Sequence, residues 1–249
     1  MFRRFLCAGV LLVLALPVQA QLQKFCLPGV APTHNVTSFE LTPATSVTSE
    51  GRDITQDSLT GKLYYAVSPA YKLGLEIPLA RYQAEDDAVK GLGDILLSVQ
   101  AVQSVYKLDW GVKMETYLPT ATADELGTGK WQAVPSVFVL YPFNPNLFVS
   151  AEYKQFFSVA GSSAREDINY GRILLTFSYM APSQWWFTFE PQYYVDYEHT
   201  GQAALMWEGE IGVMVNQGAA LYVKPGTRLG GNWKRGDWSL SAGFKILYL

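Results

Sequence analysis

This chain has almost no cysteine. Of Cys7 and Cys26, the first lies in a segment that reads as a secretory signal. One thiol then remains, and no internal disulfide can form. Histidine is equally scarce, at His34 and His199 only, which excludes a Cys/His metal cluster. Charged residues make up 16% against the usual quarter. The formal charge of −3 argues against nucleic acid as a partner. After the first twenty residues no apolar run reaches the length of about eighteen that a spanning helix needs.

What is present begins with Met1 to Ala20. Arg3 and Arg4 precede an apolar stretch from Leu6 to Val18, and Val18-Gln19-Ala20 supplies a small-residue cleavage site. Losing both arginines takes the formal charge from −3 to −5. Residues 21–37 hold Pro28, Gly29 and Pro32 without any period and read as a periplasmic tail or a short plug. Residues 38–249 read as one transmembrane β-barrel.

The basis for the barrel is a period of two. Twelve stretches, from Ser38–Ser49 to Asp237–Leu249, alternate apolar with polar residues. In Gln184 to Asp196, Trp185, Phe187, Phe189, Tyr193 and Val195 fall on one row. Trp186, Thr188, Glu190, Gln192 and Asp196 fall on the other. Short connections such as Ala181-Pro182-Ser183 alternate with longer polar ones, expected at Glu50 to Gly61, Ala84 to Leu92, Pro119 to Gly129, Ala160 to Asn169, Tyr197 to Gln202 and Gly230 to Gly236. Outer-membrane barrels have this rhythm of short periplasmic turns and long outer loops. Aromatics mark both strand ends, Tyr141, Tyr179, Trp185 and Tyr248 at one and Trp131, Phe157, Tyr193 and Trp238 at the other, as two interfacial belts require. The predicted fold is an all-β, antiparallel, up-and-down barrel of about twelve strands in the outer membrane of a Gram-negative bacterium. Its neighbours would be outer-membrane lipid and lipopolysaccharide.

An arginine or lysine on the lipid face at mid-bilayer costs about 2–4 kcal/mol, so the charged rows belong inside. They place Glu76, Asp94, Lys113, Glu115, Glu152, Lys154, Arg172, Glu190, Glu208, Glu210, Lys224, Arg228 and Lys245 on the lumen. Both signs occur, so the charges can pair and fill the barrel or line a path for a small solute. No ring of one sign points to strong ion selectivity.

Enzyme signatures are missing. His199 has Glu198 and Thr200 beside it and no serine two positions on, so no nucleophile, base and orienting group are set together. Leu126-Gly127-Thr128-Gly129-Lys130 lacks the hydroxyl residue after the lysine that a phosphate loop requires. No catalytic residue, cofactor or metal is predicted. Acidic pairs such as Asp86-Asp87 and Asp124-Glu125 read as solvated loop charge.

Three motifs stand in order: Gly91-Leu92-Gly93-Asp94, Leu118-Pro119-Thr120 and Leu126-Gly127-Thr128-Gly129-Lys130-Trp131. Their sequence resembles the outer-membrane barrel family named for the MetA pathway of phenol degradation. The resemblance implies a passive channel for a small hydrophobic or aromatic solute, inserted by the barrel-assembly machinery. This chain departs from the family pattern in having Ala121 after the LPT and Leu249 rather than phenylalanine at its end. The alternatives are a non-transporting barrel that scaffolds or adheres through its outer loops, and a lipid-modifying barrel enzyme.

Overall fold

The computed structural model describes residues 31–49, 53–84, 87–182, 184–199, 201–233 and 236–248. The signal, Cys26 and the tail up to residue 30 lie outside them. The strands are β1 (Thr37–Ser49), β2 (Asp53–Ala66), β3 (Tyr71–Ala84), β4 (Asp87–Leu92), β5 (Ile95–Val105), β6 (Leu108–Leu118), β7 (Lys130–Asn144), β8 (Leu147–Gly161), β9 (Asn169–Met180), β10 (Trp185–Asp196), β11 (Ala203–Asn216), β12 (Ala219–Gly231) and β13 (Trp238–Tyr248). All pair antiparallel with their neighbours. β1 pairs with β13 as well as β2, and β2 with β3, so the sheet closes on itself.

Thirteen strands make twelve staves. β4 pairs with the upper part of β3 and β5 with its lower part, so the two are halves of one stave broken at Gly93-Asp94. The closed antiparallel barrel of twelve staves is the architecture that the alternation predicts.

The period decides which face meets lipid. Adjacent tryptophans show it: Trp185 is 50% exposed and Trp186 3%. Phe187, Phe189, Tyr193, Ile211, Leu221 and Phe244 stand outward, whereas Thr188, Gln192, Glu115 and Lys154 are buried inside. Trp131, Trp238, Tyr141, Tyr179 and Tyr248 are exposed on the outer wall near strand ends.

Two expected loops turn out to be mostly strand. Asp53 to Gly61 extends β2, and Asp87 to Leu92 forms β4. In the first, Thr55 and Asp57 replace grease on the outward row, so the sequence carries no apolar marker of period two. Pairing on both edges imposes the extended form, Thr45 with Asp57 on one side and Asp57 with Arg81 on the other.

At the short-turn end the lumen is filled. Leu140, Phe148, Met180, Trp186, Met214 and Leu247 point inward and pack with Ala31 from the segment ahead of β1. That segment is tied in by polar contacts. Gln100 donates to the carbonyl of Pro32 and to Asn35 Oδ1, Asn35 donates to the carbonyl of Pro69, and Thr33 donates to Asp109.

Four inward aromatics lie directly across the ladder from a glycine: Tyr64 and Gly74, Phe138 and Gly111, Trp186 and Gly212, Tyr222 and Gly243. A Cβ on each glycine would collide with the ring or, at Gly74, with the neighbouring Ser98 hydroxyl as well. The missing side chain lets each ring lie flat over the next strand, a packing device of sheets.

Candidate functional site

The lumen is the candidate site, and its charges form chains rather than a ring. Glu115 on β6 accepts from Lys113 on its own strand and from Lys154 of β8 at 2.7 Å. Glu152 accepts from Arg172 at 2.7 Å, and Lys154 stands 3.9 Å from it. Lys224 of β12 bridges Glu190 and Glu208 at 2.5 and 3.1 Å. Glu40 of β1 is met by Lys62 at 2.9 Å, by Lys245 at 3.3 Å and by the Tyr222 hydroxyl at 2.6 Å. Alternation sets every one of these inward. Cross-strand neighbours then fall close enough for charges to pair.

The remaining predicted residues sit elsewhere or have different partners. Glu76 accepts from the Tyr64 hydroxyl at 2.5 Å. Glu210 accepts from Trp186 Nε1 at 2.6 Å. Arg228 reaches to the long-loop end, where it donates to Asp237 at 2.6 Å. Asp94 spends its carboxylate on the loop between β6 and β7. It accepts from the amide and hydroxyl of Thr128 and from the amide of Ala121.

That last contact explains why three motifs occur together. The break at Gly93-Asp94 frees β4 from β6, and the LPT segment fills the gap. Thr120 donates to the carbonyl of Gly93 and accepts from the amide of Ile95. Thr122 donates its amide to the carbonyl of Leu92 and accepts from the amide of Leu92 through its hydroxyl. Gly127 packs so tightly on Ala121 and Asp94 that no side chain fits there. Arg165 from the loop between β8 and β9 donates to the carbonyls of Asp124 and Gly127. The loop is thereby folded into the barrel. Glu125 and Leu126 line a cavity of about 300 Å³ together with residues of β1, β2, β3, β11 and β13.

Below this vestibule lies a second cavity of about 270 Å³ at mid-lumen. It is lined by Lys72, Lys113 and Lys245 on one arc of wall and by Glu152, Glu190 and Glu210 on another, with Tyr64, Gln100, Ser150, Thr176 and Thr188 among the neutral residues and Pro32 from the inserted segment. A third, of about 570 Å³, opens at the long-loop mouth between Glu166, Asp167, Asp196, Glu198, His199, Tyr170 and Trp233. At the long-loop end, two carboxyls are held below the ordinary aspartate range. Asp167 is stabilised as an anion chiefly by the hydrogen bond from Lys130, and Asp237 by that from Arg228.

Sequence reasoning missed Glu40, Lys62 and Lys72. The signal for Lys72 was available, because it shares its parity with Gly74 and Glu76. His199 sits 3.1 Å from Asp196 with half its side chain in solvent. Among the described residues no group of His, Cys, Asp and Glu is arranged to hold a metal.

A greasy outer wall around an ionic lumen can now be compared with solved structures. The fold is that of outer-membrane channels. An outer-membrane channel from Pseudomonas putida F1 superposes with a TM-score of 0.71 at 12% identity, over 89% of this chain and 99% of that one. The NanC porin matches with a TM-score of 0.63 at 11% identity, over 85% of this chain and 100% of its own length. The KdgM porin matches with a TM-score of 0.59 at 9% identity, over 85% and 99%. No family model and no curated protein matches the sequence, so the MetA-pathway resemblance rests on its three motifs alone. The closed barrel and its channel-like neighbours fit the outer membrane of a Gram-negative bacterium.

Proposed function

We propose that this barrel is a passive channel for small solutes across the outer membrane, with its short-turn end toward the periplasm. The observation that carries the reading is the open space inside the wall. Three cavities, at the long-loop mouth, beside the folded loop and at mid-lumen, are each bordered by polar and charged side chains. A barrel that served only as an anchor would gain nothing from leaving ionic groups around open volume, since buried charge costs free energy unless it is paired and solvated.

The wall favours a polar solute of modest size. The hydrophobic or aromatic solute that the family resemblance implies has one feature in its favour, the break at Gly93-Asp94, where a loop rather than a strand seals the wall. The outer-loop scaffold and the lipid-modifying enzyme have no comparable support, and in sequence His199 stands between Glu198 and Thr200 with no serine two positions on.

The test is reconstitution of the purified chain. Stepwise ionic conductance in planar bilayers, with swelling of proteoliposomes in a small sugar, is the expected result. Bilayers that stay silent, with liposomes no leakier than empty ones, would overturn the channel reading.

A further inference from the structure

The mid-lumen cavity is balanced and divided. Its six ionic side chains are three lysines and three glutamates. They are sorted by position in the sheet. Lys245, Lys72 and Lys113 come from β13, β3 and β6, which lie on the arc that runs through β1 and β2. Glu152, Glu190 and Glu210 come from β8, β10 and β11, on the arc opposite.

Most of these groups already have partners. Lys113 is matched to Glu115, Lys245 to Glu40, Glu152 to Arg172 and Glu190 to Lys224. Two are not. Among the described residues Lys72 has no carboxylate within 4.0 Å, and its ammonium stands over the ring of Tyr64, 5.4 Å from the centroid. Glu210 has no cation within 4.0 Å and is held by the Trp186 indole alone. One amine and one carboxylate without an ion-pair partner within 4.0 Å therefore border the same volume, on opposing walls. The neutral residues between them, Tyr64, Gln100, Ser150 and Thr188, offer further polar atoms.

We propose that this cavity is a subsite for small zwitterions. The anionic end sits at Lys72, between Lys113 and Lys245, and the cationic end at Glu210, beside Glu190. A simple anion would satisfy Lys72 and leave Glu210 as it is, and a simple cation would do the reverse. Only a solute carrying both charges relieves both, and the field between the two arcs orients it across the lumen. The size fits, because the cavity falls just below the range of about 300–1,000 Å³ typical of sites for drug-sized ligands.

The proposal rests on the channel reading for access to the lumen, and the experiment separates the two. The full mature chain in detergent is titrated with alanine, β-alanine and γ-aminobutyrate, a series of increasing charge separation, with propionate and lactamide as singly charged and neutral controls. The same solutes are used for swelling of proteoliposomes. Saturable binding of at least one zwitterion, tighter than propionate and lactamide, is expected. Lys72→Gln and Glu210→Gln should each weaken it about tenfold, and Lys72→Arg should retain it. Retained heat-modifiable migration on gels certifies that each variant is folded. Propionate binding as tightly as the zwitterions, or a folded Lys72→Gln that binds them unchanged, overturns the subsite while ionic conductance leaves the channel standing. Zwitterion binding without any permeation supports the subsite and removes the channel. Permeation of lactamide with no zwitterion binding removes the subsite only.

Discussion

The Asp94 carboxylate takes both polar hydrogens of Thr128, the backbone amide at 2.7 Å and the hydroxyl at 3.0 Å. With the amide of Ala121 as a third donor, one side chain closes both ends of a loop that would otherwise hang free. Hydrogen bonds to a charged group contribute about 1.5–3 kcal/mol each. Asp94→Ala should release residues 119–129 from the lumen. The expected outcome is a larger and noisier single-channel current with faster protease cleavage in this loop, and a barrel whose melting is nearly unchanged. An identical current trace from a folded Asp94→Ala protein would show that the loop does not restrict the path.

The pair of Lys154 and Glu115 is almost wholly buried, 2.7 Å apart. Removing one member leaves a charge with a single partner in a confined space, and such a loss is costly. Lys154→Met should destabilise the barrel by about 3 kcal/mol. The triple variant Lys113→Met, Glu115→Gln and Lys154→Met, which leaves no member of this group without its partner, should recover much of that. Denaturant unfolding from detergent or lipid, followed by tryptophan fluorescence, measures both, and additive losses would remove the coupling.

The long-loop end should loosen in acid. Asp167 and Asp237 have carboxyls held below the ordinary value of 3.8 by the hydrogen bonds from Lys130 and Arg228. A depressed folded value means that their contribution is complete above pH 3.8, shrinks below it and disappears once pH passes beneath the folded values. Hydrogen exchange in residues 160–169 and 236–238 should therefore be flat from pH 7 to 5, after correction for intrinsic rates. It should rise toward pH 3. Asp167→Asn and Asp237→Asn should remove the pH dependence at their respective loops.

The segment ahead of β1 narrows the short-turn end through Ala31, Pro32 and Asn35. A barrel from which residues 21–35 are deleted should insert and fold, because the strands keep all their ladder partners. Its conductance should be severalfold higher than that of the full chain. Unchanged conductance would place the narrowest point elsewhere, with the folded loop at 119–129 as the next candidate.

Much of this was written in the sequence, and the reasons differ by residue. Grease on every second position marked Trp185 as outward and Trp186 as inward without ambiguity. The same parity placed Glu115, Glu152 and Lys224 on the lumen. It gave no help at Thr55 and Asp57, where the outward row is polar and strand formation depends on pairing with β1 and β3. Asp94 shows a different limit. Parity stops at a broken stave, and the side chain turns to donors that sequence spacing places 27 and 34 residues away. Lys72 is legible by the same parity, in step with Gly74 and Glu76.

The four aromatic rings laid over glycines bear on how this lumen can change over evolutionary time. Each ring occupies a shelf that the neighbouring glycine leaves empty, so it takes up less of the lumen than a ring standing clear of the wall would. Substitutions at the charged positions can then accumulate while the four ring-on-glycine pairs, and the wall they line, stay as they are.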